Sequence, residues 1–436
     1  MFGKRMIVPL GFLATMMEAS LLIGCRQQQT SGTAPKGGAA PAPVNMIAFD
    51  EDGRMVPDGA KQLEVVIGQA QTRRPTEIFV AAHGWLNTPT SAGSSYGTMR
   101  DLMFQVGQKQ SLFTPDYQPL RIGIYWPSMK YLETEQEAKS VEEKPVAQAL
   151  SGVSDKNVQA ADPNRNEGFR NDVNKMQQLL KRNTQKASAD FKTDLEEAHA
   201  IFRRQALAHG IQPINLKELQ EIPNLDSIQD ALQLYTYFQM KQRAGIVGAS
   251  GVRQLIARLQ KEFPQARVHL IGHSFGCKVV LSALADKEAL PRPVDTVVLL
   301  QGAVSFQCFA DRLEGVSPDT AGGYRKAEES VKGPIVASFS VHDLAVGKAY
   351  PAASRLAKQI GECDRPASDF VIDKWYEGLG AAGVNDLPKV TMLDKGGNYK
   401  FDKGLYSIDA TKYVSEHSEI YNPDVAWLIW AAILRR

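Results

Sequence analysis

One stretch, Arg267 to Leu284 (RVHLIGHSFGCKVVLSAL), constrains what this chain can fold into more than any other. It opens on a short apolar run, Val268 to Ile271, of the kind that forms a buried parallel strand. It passes through Gly272-His273-Ser274-Phe275-Gly276 and continues into Val279, Val280, Ala283 and Leu284, apolar at helical spacing. Strand, sharp turn and helix with a serine at the tip form the context in which a G-x-S-x-G match carries meaning. The turn strains the serine backbone, and a Cβ at Gly272 or Gly276 would collide with the neighbouring strand or helix. The strain lifts the serine Oγ clear of the sheet. The helix N-terminus behind it presents backbone N–H groups to an oxyanion.

Other apolar runs repeat the strand theme. Asn45 opens a strand and turn (MIAFDEDG), Glu77 to Ala82 (EIFVAA) is a second buried strand, and Leu120 to Trp126 is a third, stopped by Pro127. A helix is expected around Tyr96 to Val106. After the elbow come strands at Thr296 to Gln301 and Pro334 to Val341, weaker ones at Val390 to Leu393 and Tyr406 to Ile408, and an apolar closing helix, Val425 to Leu434. Strands alternating with helices predict an α/β fold with a mostly parallel sheet, right-handed crossovers and helices on both faces. Residues 128–245 break the rhythm. There Phe169, Val173, Met176 and Leu180, then Phe191, Leu195, Ala198 and Phe202, mark one-sided helices. This helical insertion either lies over the C-terminal edge of the sheet or is a decoration with no role there. The aromatics Tyr235, Tyr237 and Phe238 either line a substrate cavity or are simply core.

Residues 1–24 read as an export signal, with Lys4 and Arg5 ahead of an apolar run. Leu22-Ile23-Gly24-Cys25 resembles the lipobox of bacterial lipoproteins, which implies acylation of Cys25 and a protein tethered to the membrane of the cell envelope. Glu18 interrupts the run, and an uncleaved anchor is the alternative. Residues 25–44 form a Gly/Pro/Ala-rich tether, and residues 45–436 the folded domain. Of the remaining cysteines, Cys277 is expected to be a packed thiol, while Cys308 and Cys363 stand open as a pair or as free thiols. The net charge of +2 gives no sign of a nucleic-acid partner.

A serine hydroxyl needs a base within hydrogen-bond reach and a carboxylate behind that base. Two histidines follow Ser274, namely His342 and His417. His342 ends a strand beside Asp343, and adjacent strand residues face opposite ways. His417 lies in a polar loop before the closing helix, free to reach the elbow, and is the expected base. Asp343, at a strand end opening onto the same edge, is the expected acid; its other use would be as a helix N-cap. Asp369 and Asp373 lack that strand-end setting. The oxyanion hole is expected from the N–H groups of Phe275 and of Trp85, in the loop after EIFVAA. His83 is expected to hold that loop. No phosphate-binding glycine loop, dinucleotide fingerprint or metal-ligand cluster appears in the sequence, so no cofactor is expected.

The segments IFVAAHGW, RIGIYWPS, VHLIGHSFG, SVHDLAV and EHSEIYNPDVAW resemble the α/β-hydrolase superfamily. They are most similar to poorly characterised bacterial members that pair a His-Gly loop with a strand ending in Trp-Pro-Ser. The resemblance spans Ile78 to about Ile433 apart from the insertion, and implies the α/β-hydrolase sheet and a Ser274–Asp343–His417 triad. A serine hydrolase acting on a small-molecule ester or related acyl substrate is the function it implies. An acyltransferase, or a tethered binding protein keeping the fold without turnover, is the alternative.

Overall fold

The computed structural model describes residues 43–128, 167–182, 188–208, 216–220, 227–285, 290–314, 316, 320–356, 359–363 and 373–435. The chain divides into two units: residues 35–129 with 240–436, and a second that contains residues 130–239.

The first unit is a single sheet of eight strands: β1 Val44–Ala48, β2 Glu77–Ala82, β3 Pro119–Tyr125, β4 Arg267–His273, β5 Thr296–Leu300, β6 Pro334–Phe339, β7 Lys389–Thr391 and β8 Gly404–Asp409. Their order is β1-β3-β2-β4-β5-β6-β8-β7, and every neighbouring pair is parallel. The molecule is therefore an α/β protein. All five residues of β5 and all six of β6 are buried. Successive side chains of a strand point to opposite faces, so both faces of the central sheet must be covered.

The cover comes from helices α1 (Pro57–Arg73), α2 (Pro89–Lys109), α3 (Arg253–Glu262), α4 (Phe275–Ala285) and α5 (Pro423–Leu434). Helices α2 and α5 pack together and bury Phe79, Ile271, Val298 and Leu300 beneath them. The second group is α1, which touches β1 and α3, and α4, which packs on β4. Helix α2 begins earlier than the Tyr96 expected: Thr88 caps it, Pro89 sits in its first turn, and Ser91 completes a capping box. Helix α5 buries every residue from Val425 to Ile433, as an all-round apolar helix must. Trp430 Nε1 donates to the Met103 carbonyl of α2 at 2.7 Å, so its one polar atom is satisfied. Among the described residues, no helix is long and apolar enough to cross a membrane.

The second unit contains the helices Glu167–Lys181 and Phe191–Ala208, which pack on each other. Phe191, Leu195, Ala198 and Phe202 are all buried, as their spacing requires. On the other helix Val173 and Met176 are buried, but Leu179 takes the place expected of Leu180, which is only half-buried. Asp194 is buried and paired with Arg182 at 2.9 Å, and Asp172 pairs with Arg204. Helix Ile228–Val247 holds the aromatic cluster, of which Tyr237 is buried; the side chains of Tyr235 and Phe238, like that of Phe169, lie outside those described.

Candidate active site

In an all-parallel sheet every strand ends on the same edge, so the loops after β2, β4, β5 and β6 lie side by side in that order. The register pairs Ala82 with Gly272, which sets the loop beginning at His83 beside the turn at Ser274. Ser274 adopts φ +56, a left-handed conformation costly to a residue with a Cβ. The flanking glycines permit it. A Cβ on Gly272 would lie 2.7 Å from the Cys277 backbone, and one on Gly276 would lie 2.0 Å from the Ala82 carbonyl oxygen. Gly84 has a similar duty, since a Cβ there would meet the Ser274 Cβ at 2.6 Å. The His-Gly loop thus lies against the serine.

The serine, the expected base and the expected acid meet here. Ser274 Oγ lies 2.9 Å from His417 Nε2, and His417 Nδ1 lies 2.8 Å from Asp343 Oδ2. A carboxylate oxygen only accepts, so Nδ1 carries the imidazole proton and Nε2 accepts from the serine hydroxyl. The Asp343 side chain is fully buried, whereas that of His417 keeps 20% exposure. Burial would depress the His417 pKa; the Asp343 charge and hydrogen bond outweigh it and hold the imidazole above its ordinary value. Asp343 also fills the capping role, through its other oxygen: Oδ1 accepts the Val346 N–H at 2.9 Å. One side chain serves both uses.

No protein-family model, curated protein or solved structure matches this chain. The chemistry of the site is therefore read from its geometry.

Two residues with no assigned role in the sequence join the relay. His273, the last residue of β4, donates from Nε2 to the His417 backbone carbonyl at 3.0 Å, and the two rings lie 5.0 Å apart. Burial, then the nearby His417, pull the His273 pKa to about 3, so it is a neutral donor that holds the loop carrying His417. Gln301, at φ +48 just beyond β5, donates from Nε2 to Asp343 Oδ2 at 3.3 Å and to the Gly380 carbonyl at 3.0 Å. Its Oε1 accepts from Ser338 Oγ at 3.0 Å, which fixes the amide orientation. The loop carrying His417 is tied twice more. Ser340 Oγ donates to the Val414 carbonyl, and Asn422 caps α5 while its Nδ2 donates to the Tyr413 and Glu419 carbonyls.

The remaining candidates separate cleanly. Trp85 and Phe275, the residues expected to line the oxyanion hole, face each other with ring centroids 6.3 Å apart, and Phe275 opens α4. His83 is structural: its Nδ1 donates to the Gly84 carbonyl at 2.8 Å, and its ring stacks on Trp126. Burial draws its pKa down to about 4, the Gly84 bond opposing. His342 is exposed and outside the relay. Asp369 and the side chain of Asp373 lie outside those described, as do Cys25 and the whole N-terminal region. Cys277, Cys308 and Cys363 are free thiols, so Cys308 and Cys363 do not pair. Cys277 is buried behind the elbow, its Sγ donating to the Gly272 carbonyl at 3.2 Å. Among the described residues no group of three or more His, Cys, Asp or Glu side chains is placed to hold a metal ion.

Proposed function

We propose that this chain is a serine hydrolase of the α/β-hydrolase type, acting on an ester or related acyl substrate. The observation that supports the reading is the unbroken relay from buried Asp343 through His417 to Ser274 on a strained turn. The Ser274 oxygen attacks the acyl carbonyl as its proton passes to His417 Nε2. The imidazolium so formed is stabilised by Asp343, which stays ionised. The tetrahedral oxyanion is held by the backbone N–H groups of Phe275 and Trp85. His417 then gives its proton to the leaving alkoxide, and an acyl-Ser274 ester remains. Water, deprotonated by the same imidazole, releases the acid and restores the serine. The test is turnover of a short activated aryl ester. The full chain should hydrolyse it, and a folded Ser274→Ala variant should not; equal rates for the two would end this reading.

We also propose that the protein is held on a bacterial envelope membrane through acylated Cys25, with residues 25–44 as the tether. Two or more acyl chains, at about 0.8 kcal/mol per buried methylene, make such an anchor stable. Mass spectrometry of the mature N-terminus decides it: an intact Met1, or a free Cys25 thiol, would contradict the anchor.

A further inference from the structure

A mainly apolar cleft, open to solvent, runs along the face of the sheet that carries α2. His273 lines it at the catalytic edge and Arg121 of β3 lines it deeper in, with Phe79, Ile271, Met99 and Met103 among its apolar walls. Ser274, Asp343 and His417 are not part of its lining.

The unusual member is Arg121. It is 5% exposed in a mainly apolar wall. Its Nη2 donates to Tyr117 Oη at 3.4 Å, and its guanidinium carbon lies 5.5 Å from the centre of the Phe79 ring. Its Nη1 is buried with no hydrogen-bond partner among the described residues. Among the described residues no carboxylate forms an ion pair with it. Asp101 pairs with Arg100 at 2.8 Å, and Glu77 is taken by Arg267 and His269. A buried cation lacking both a counter-charge and a full set of acceptors is costly, and burial draws its pKa below the usual value. The cost falls if an anion arrives from outside.

We propose that this cleft binds an organic carboxylate with an apolar body, its head paired with Arg121 and its chain directed toward His273. A guanidinium matches a carboxylate by two parallel hydrogen bonds, and the apolar walls match the chain. Length follows from register. Arg121 is level with Phe79, and His83 lies four residues further along the same strand direction. That span is about 13 Å, the reach of a chain of roughly eight to ten carbons.

The test uses the full chain and two isosteric probes, nonanoate and nonanamide, in calorimetric titration. Nonanoate should bind at one site at least ten times more tightly than the amide. That preference should persist after Ser274 is capped with a fluorophosphonate, or unchanged if Ser274 proves unreactive. Loss of binding on capping would place the ligand in front of the nucleophile and overturn the proposal. Arg121→Gln should abolish the preference for the acid, and Met99→Trp, which fills the cleft, should weaken both probes. Equal affinity of the unaltered chain for acid and amide, or no binding of either, overturns the proposal without recourse to a variant. So does a preference that survives in folded Arg121→Gln.

Discussion

Two buried polar networks meet helix α4, and they are built on opposite principles. At its start, Ser274, His417 and Asp343 form a line whose middle group is an imidazole held above its ordinary pKa. One turn on, Lys278 belongs to a closed cluster around Glu362, whose oxygens take Lys278 at 2.6 Å and Lys241 at 3.0 Å. Tyr350 Oη and the Ser305 N–H also donate to Glu362. Burial alone would raise the Glu362 pKa, but the two lysines drive it far below the usual carboxylate range. Lys278 is held above its ordinary value, Glu362 outweighing burial; Lys241 is lowered, because burial outweighs its pairing with Glu362. The contrast separates two uses of buried charge. A cluster of mutually paired charged groups joins α4 to the loop at Glu362 and serves structure. A relay through one part-exposed imidazole is what the proposed proton transfer needs.

The predictions test that division, beginning with the largest effect. His417→Ala should lower kcat on an activated ester by on the order of 10⁶, as much as loss of the serine, because nucleophile and base act as a unit. A folded variant with near-full activity would break the comparison at its first arm. Asp343→Asn should lower kcat by about 10⁴, since an amide can donate to Nδ1 and stabilise the wrong tautomer. Glu362→Gln should act on the other network. Unfolding free energy should fall by about 3–5 kcal/mol, with kcat per folded molecule little changed. Denaturant titration beside an active-site count checks it, and lost activity in stably folded protein would show the networks are not separate.

Smaller effects refine the relay. His273→Phe removes the donor to the His417 carbonyl and should lower kcat roughly tenfold, about 1.4 kcal/mol, with KM preserved. A matched rise in KM would instead assign His273 to substrate. The smallest effect is in pH. His417 works as a base only when neutral, so raising its pKa moves the acid limb of kcat/KM above the ordinary imidazole value of about 6.5. In Asp343→Asn the limb should shift to lower pH. A limb that stays in place would mean that Asp343 does not set the charge of His417.

How much of this was legible in the sequence depends on how local the cause is. The elbow was readable because strand, glycines and helix follow one another within residues 267–284, and the steric demand on Gly272 and Gly276 is met by near neighbours. Strands were readable as apolar runs, with small errors at their ends. Thr296–Leu300 stops before Gln301 because that residue turns to φ +48, and Pro334–Phe339 stops before Val341. A strand end located Asp343, and a polar loop before the closing helix located His417. Helix α1 was passed over, although Leu63, Val66, Ile67 and Ala70 recur at helical spacing and are its buried face. His273 and Gln301 had no such signal: their partners lie 144 and 42 residues away, and an isolated polar residue does not reveal what folding will bring to it. The same holds for Lys241, Lys278 and Glu362, which become a cluster only once the sheet has formed.

The most direct measurement of the central claim is the rate at which a fluorophosphonate labels the protein, followed by intact mass and peptide mapping. Because the proposed relay activates Ser274 through His417, the account predicts one adduct, on Ser274. It should form rapidly in the full chain and orders of magnitude more slowly in His417→Ala. No adduct on Ser274 in folded protein, or labelling at the same rate without His417, would contradict it.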